Sequence, residues 1–221
     1  MLSIAIVISG RGSNMRSIIE AKEKQYLDID IKAVVSNKPD AAGIEYAADK
    51  GYRTEIVDQT LFEDLDSYNR TLKNRLEQLD ADLIVLAGYM RILPPELVDT
   101  FAGRMINIHP SLLPEFTGLN THRRALNAGK EKHGASVHFV TAKLDGGPVI
   151  AQAEVPILKK DTEEILAQRV LQQEHRLYPA VIKLFEQNRI KCSGNYPVLD
   201  DAPLTEPITI NANSDITNGI T

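Results

Sequence analysis

In the stretch Arg104 to Pro114, reading RMINIHPSLLP, an amide and an imidazole stand two residues apart in an otherwise apolar run. If Met105 to Ile108 extends as a strand, Asn107 and His109 project to the same side, roughly 6.6 Å apart along the backbone. Ile106 and Ile108 then project to the other side, toward packed sheet. Pro110 cannot donate to a ladder, so the strand stops there and His109 stands at its carboxyl end. That end is where open α/β sheets bind ligands. An amide donor beside an imidazole can stabilise a developing oxyanion and move a proton. The same residues also fit an ordinary hydrogen-bonded strand end, so the rest of the chain must decide.

The elements that would position this pair read as α/β. Leu2 to Ile8 is an almost unbroken aliphatic run, as expected of a parallel strand covered on both faces. It leads into Ser9-Gly10-Arg11-Gly12-Ser13-Asn14 and a helical stretch from about Met15. Two glycines permit a sharp turn, Ser13 or Asn14 can cap the helix, and the helix start offers N–H groups to an anion. Met15 fills the place of a third glycine at dinucleotide spacing, so one phosphate fits better than a dinucleotide. A plain tight βα turn is the alternative. Strands over Ile31 to Ser36, Arg53 to Val57 and Asp82 to Ala87 alternate with helices over Ala41 to Lys50 and Leu61 to Leu79. That alternation indicates right-handed βαβ units and a mostly parallel twisted sheet, Rossmann-like, with helices on both faces.

After the DLIVLA strand comes Gly88 to Leu93, read as a loop because Pro94 and Pro95 follow. Arg91 in it either receives a ligand's carboxylate or ring acceptors, or is a surface arginine. Leu112 to Gly118 is irregular, and Thr121 to Ala128 is a short basic helix. Ala135 to Thr141 and Val149 to Pro156 both alternate, and the Asp-Gly-Gly link between them predicts an antiparallel pair. Asp145 in that link is either a turn former or a carboxylate brought to a site; His138, mid-strand, reads as structural. Asp161-Thr162-Glu163-Glu164 is a capping-box signature opening a long helix to about Gln187, with a kink expected at Pro179. Glu174 on that helix reads by default as a solvated glutamate. From Tyr196 the composition turns to Pro, Asn, Thr and Asp, which predicts a domain over 1–195 and a peripheral or disordered tail over 196–221.

Composition narrows the classes. A net charge of -5 argues against general nucleic-acid binding while leaving room for a local basic pocket. The single cysteine, Cys192, excludes an internal disulfide and any cysteine-based metal cluster. The first residues lack a positive leader and a cleavage site, and their apolar run is too short to span a bilayer, so a cytoplasmic protein without a membrane partner is expected.

Taken together, the ISGRGSN turn, the AGYMRIL loop, NIHPSLLP, the GASVHFVTAKLDGGP pair and the QQEH helix closely resemble the folate-dependent glycinamide ribonucleotide formyltransferases of purine biosynthesis. The resemblance spans about residues 2–190 and keeps motif order and spacing. It implies direct transfer of a formyl group from 10-formyltetrahydrofolate to the amine of phosphoribosylglycinamide, through a tetrahedral oxyanion and without a metal or a covalent nucleophile on the protein. Asn107, His109 and Asp145 would be the catalytic trio: the amide donates to the oxyanion, protonated His109 stabilises it and supplies a proton, and Asp145 keeps the imidazole charged. Gly12, Ser13 and Asn14 would hold the substrate phosphate, and Glu174 the ribose hydroxyls. Met90, Arg91, Ile92 and Leu93, with Asn107 and the loop Thr141, Ala142, Lys143, Leu144 and Asp145, would line the formylfolate slot. The expected partners are these small molecules, on a monomer or a homodimer.

Several positions depart from the family pattern: Leu65 where bacterial relatives carry Arg, Leu171 in place of a polar residue, and Glu115 and Asn120 in place of Lys and His. A methionyl-tRNA formyltransferase would be expected to add a basic domain after the catalytic one, and a formyltetrahydrofolate hydrolase a regulatory domain ahead of the first strand. A non-catalytic phosphate-binding module would need no Asn107, His109 and Asp145 together.

Overall fold

The computed structural model describes residues 1–194 and 196–210. The chain divides inside one strand into two compact units, 1–107 and 108–221. The first unit alternates β1 (Leu2–Ile8), α1 (Ser13–Glu23), β2 (Ile29–Ser36), α2 (Ala42–Asp49), β3 (Thr54–Ile56), α3 (Leu65–Gln78), β4 (Leu83–Leu86) and α4 (Pro95–Thr100), and ends in β5 (Met105–His109), which carries the chain onward. Its strands run in the order β5-β4-β1-β2-β3, with parallel pairing throughout. The aliphatic run of β1 makes it the central strand, and Ile4 to Ile8 are fully buried. Since β1 lies between β2 and β4, the strand order reverses there, and the carboxyl end of β1 is a topological switch point.

Local chemistry moved three boundaries from where the residue pattern put them. The helix expected from Leu61 starts at Leu65, because Asp64 accepts the Ser67 N–H at 2.6 Å; Asp58 caps a separate 3-10 turn over Gln59–Leu61. The loop expected over Gly88 to Leu93 is present, and a helix the residue pattern did not place follows it: Pro95 takes the first helical position of α4, where its missing N–H costs nothing. Helix α1 is capped by neither Ser13 nor Asn14. Its N-cap is Gly12 in the left-handed region, without a side-chain bond.

The second unit contains α5 (Thr121–Asn127), β6 (Lys132–Phe139), β7 (Val149–Pro156), α6 (Glu163–Glu186), β8 (Ile190–Ser193), β9 (Tyr196–Leu199), β10 (Ala202–Pro203) and β11 (Ile208–Ile210). The expected hairpin is present, with β6 and β7 antiparallel. Helix α6 packs on both of its strands, burying Leu166, Val170, Leu177, Val181 and Leu184 at helical spacing. Thr162, not Asp161, caps α6 by accepting the Ile165 N–H, since Asp161 is taken by Arg169 at 2.8 Å. The change of composition at Tyr196 does not end regular structure. Strands β8, β9 and β10 form a small antiparallel sheet, and β11 pairs parallel with β7. The remainder of the expected tail, 211–221, lies outside the described residues.

Candidate active site

Within the first unit, the switch point gathers the turn after β1 and the loop after β4. The Ser9 N–H donates to the Gly88 carbonyl at 3.2 Å, and Ser9 Oγ accepts the Met90 N–H at 2.9 Å. The turn then passes Gly12, Ser13 and Asn14 into α1, whose first N–H groups have no helical partner to bond. Helix α2 reaches the same turn: the Gly43 N–H donates to the Gly10 carbonyl at 3.0 Å. A Cβ at Gly43 would lie 2.5 Å from Ile8 Cδ1 and 3.0 Å from that carbonyl, so only glycine lets the two segments approach. Arg91 is not a free surface arginine. Its guanidinium donates to Gln59 Oε1 and lies over the Tyr68 ring, 4.9 Å from the centroid. Leu93 is buried, whereas Met90 and Ile92 are 71% and 69% exposed.

Within the second unit, His109 and Asp145 are brought together. His109 Nδ1 stands 3.5 Å from Asp145 Oδ2, and both side chains are more than nine-tenths buried. Nε2 of His109 lies 2.9 Å from the Phe116 carbonyl, which can only accept, so that nitrogen carries a proton. Oδ2 of Asp145 also accepts the Gly118 N–H at 2.8 Å. The loop supplying both groups is pinned from the hairpin: Ser136 Oγ donates to the Ser111 carbonyl at 2.6 Å and accepts the Leu113 N–H, while Gln152 donates to the Leu113 carbonyl.

A second imidazole flanks the carboxylate. His138 Nε2 lies 3.9 Å from Asp145 Oδ1, and its Nδ1 lies 2.8 Å from the Phe139 carbonyl. Burial pushes the His138 ring below the usual histidine range, so it is neutral near pH 7 with its proton on Nδ1. Asp145 itself takes a positive φ of 48° and is the inward member of its turn. Thr141, Ala142, Lys143 and Leu144 sit at least partly outside, with Thr141 Oγ1 donating to the Lys143 carbonyl at 3.3 Å. Gly147 makes that turn possible, because a Cβ there would sit 1.9 Å from the Phe139 carbonyl oxygen.

Asn107 lies on β5 two residues before His109, half-buried, with its Cα paired to Leu86. Glu174 is not a solvated glutamate: on α6 it is only 8% exposed. Among the described residues, no group of three or more His, Cys, Asp or Glu is placed to hold a metal ion, and no helix is long and apolar enough to cross a membrane.

Residue types alone do not disclose the Phe116 carbonyl, which is backbone, nor Ser9, Gln59 and Gly43, which carry no chemical signature. Ser136 and His138 share a face of β6 by strand alternation, and that period was a usable signal.

Comparison with known proteins shows which family the chain is similar to. A protein-family model described as formyl transferase matches residues 2–182. The phosphoribosylglycinamide formyltransferase of Escherichia coli is 47% identical over 199 residues, covering 90% of this chain and 94% of the relative. That of Haemophilus influenzae is 41% identical, covering 92% and 96%. The solved phosphoribosylglycinamide formyltransferase from Coxiella burnetii, in complex with CHES, superposes with a TM-score of 0.89 at 46% identity, covering 92% of this chain and 96% of that one. Family match, sequence identity and superposition over nearly the whole length thus coincide, and the chain belongs to the formyl transferase family.

Proposed function

We propose that this protein transfers the formyl group of 10-formyltetrahydrofolate to the amine of 5'-phosphoribosylglycinamide. The observation that carries the reading is the buried His109–Asp145 pair at 3.5 Å, in a chain 47% identical to a phosphoribosylglycinamide formyltransferase. A buried carboxylate calls for a compensating cation. His109, whose two ring nitrogens both face oxygen, is the group placed to supply it.

In this mechanism the substrate amine attacks the formyl carbon and makes a tetrahedral centre bearing a negative oxygen. Asn107, beside His109 on β5, donates to that oxygen. The gap of 3.5 Å to Asp145 is longer than a tight hydrogen bond, so the Nδ1 proton of His109 can be shared with the developing oxyanion. Collapse breaks the bond from carbon to the folate nitrogen, which takes up a proton as the former amine gives one up. The products are a formamide and tetrahydrofolate. The turn at Gly12, Ser13 and Asn14 supplies backbone N–H groups and a helix start to the phosphate, and buried Glu174 accepts from the ribose hydroxyls. For formylfolate, the first unit offers Met90 to Leu93 and Asn107, and the second unit offers Thr141 to Asp145.

Purified protein, mixed with phosphoribosylglycinamide and 10-formyltetrahydrofolate, is expected to yield the formylated ribonucleotide by mass spectrometry, in step with the change in folate absorbance. Formate release from formylfolate alone, at the same rate with and without the amine, would make the protein a hydrolase instead.

A further inference from the structure

The loop that would receive formylfolate is held by a closed circuit of hydrogen bonds, and two residues of that circuit, Asn37 and Gln59, belong to none of the motifs. Gln59 opens the 3-10 turn Gln59–Leu61, which is capped by Asp58 accepting both the N–H and the Oγ1–H of the next residue, Thr60. The donor and acceptor roles around it are forced, starting from Arg91. A guanidinium only donates, so Gln59 must turn its oxygen to Arg91. That same oxygen accepts from Asn37 Nδ2 at 3.1 Å. Asn37 is therefore left with its oxygen for the hydroxyl of Ser9, 2.6 Å away. Having given up its proton, Ser9 Oγ has a lone pair for the Met90 N–H at 2.9 Å. Met90 and Arg91 are consecutive, so the circuit closes.

The circuit has a mechanical result. Arg91 is turned inward, onto Gln59 and over the Tyr68 ring, and Tyr89 is turned inward too, its hydroxyl 2.7 Å from that of Tyr68. The residues alternating with them, Met90 and Ile92, are then obliged to stand outward. An exposed apolar pair beside a switch-point turn suits a flat heterocycle.

We infer that Gln59 is a positioning residue for formylfolate: through Arg91 it holds the loop in the conformation that presents Met90 and Ile92. This rests on the proposed assignment of Met90 to Leu93 to the formylfolate slot. Gln59 touches no substrate. It acts by giving Arg91 and Asn37 one shared acceptor, and without it a buried amide donor and a guanidinium both lose their partner.

The test uses Gln59→Leu, which removes the acceptor, and Gln59→Glu, which keeps an oxygen for both donors. Steady-state kinetics with each substrate varied in turn are read beside thermal melting. Gln59→Leu is expected to raise the KM for formylfolate on the order of tenfold, with kcat within about threefold of the parent. Gln59→Glu is expected to restore the KM to within about threefold. An unchanged formylfolate KM in Gln59→Leu overturns the inference. So does a Gln59→Glu variant as impaired as Gln59→Leu, or a uniform loss of kcat and both KM values that tracks a lowered melting temperature. A Met90→Ser/Ile92→Ser double variant separates the two readings. If its formylfolate KM is unchanged, the loop is not the slot and the assignment beneath the inference falls. If that KM rises while Gln59→Leu is silent, Gln59 alone is excluded.

Discussion

Asp145 and His109 meet through a single carboxylate oxygen: Oδ2 faces His109 Nδ1 at 3.5 Å and takes the Gly118 N–H at 2.8 Å. The acid is thus fixed by backbone, and the imidazole is fixed on its opposite side by the Phe116 carbonyl. Preorganisation of this kind removes the need to reorient dipoles as charge develops.

Replacing Asp145 by Asn keeps an oxygen for the Gly118 N–H and deletes the charge. Turnover is expected to fall by about 10² to 10⁴, the range associated with a positioned acid–base group, with the melting temperature nearly unchanged. Stopped-flow or steady-state assays of Asp145→Asn, run beside a thermal melt, check it. A variant retaining a third of parent kcat would remove Asp145 from the mechanism.

For Asn107→Ala, loss of one oxyanion donor corresponds to about 3 to 4 kcal/mol of barrier, or roughly 10² to 10³ in kcat. Circular dichroism should match the parent, because Asn107 pairs to β4 through backbone. Full activity in this variant would shift the oxyanion role elsewhere.

The second unit carries a pH dependence of definite sign. His133 accepts from His122 across 3.1 Å, while the Pro110 carbonyl takes its remaining N–H. Burial, with His122 next, pushes the His133 ring down to about 4. Burial likewise lowers His122 and His138. The unfolded chain protonates these rings near pH 6.5. Below that value it binds more protons than the folded chain, so stability is full above about pH 6.5 and declines as pH falls toward about 4. Urea midpoints measured across this window should drop with acid, and His133→Gln should flatten the drop. A midpoint independent of pH over the window would contradict the neutral pair.

Gly43→Ala tests the turn from outside the motif. Its new methyl would press on Ile8 Cδ1 and the Gly10 carbonyl, moving the segment that ends at Gly12. The KM for phosphoribosylglycinamide should rise on the order of tenfold, equivalent to about 1.4 kcal/mol, with the formylfolate KM affected less. Equal changes in both would point to general destabilisation.

Legibility in the residues followed period and punctuation. The aliphatic runs of β1 and β4 and the alternation of β6 and β7 announced their strands, because burial on two faces or on one writes itself into hydrophobic period. The pair Asn107 and His109 could be placed on one strand side by the same rule. That Asp145 reaches His109 could not, since it depends on how the chain returns after β6. Helix α4 hid behind two prolines that read as a break. Burial of Glu174 was invisible because a buried glutamate is rare enough that a solvated one is the default. The strands after Tyr196 lack apolar period, and β11 gains its order by pairing with β7.

That last pairing has a consequence for handling the protein. Ile208, Thr209 and Ile210 occupy the open side of Ala151, Gln152 and Ala153, so the outermost ladder positions of β7 are already taken. A chain clipped ahead of Leu204 would bare a row of unpaired amides and carbonyls beside buried aliphatics, a template for edge-to-edge association. Proteolytic trimming of this segment should therefore show itself first as concentration-dependent aggregation, while the His109–Asp145 pair stays intact.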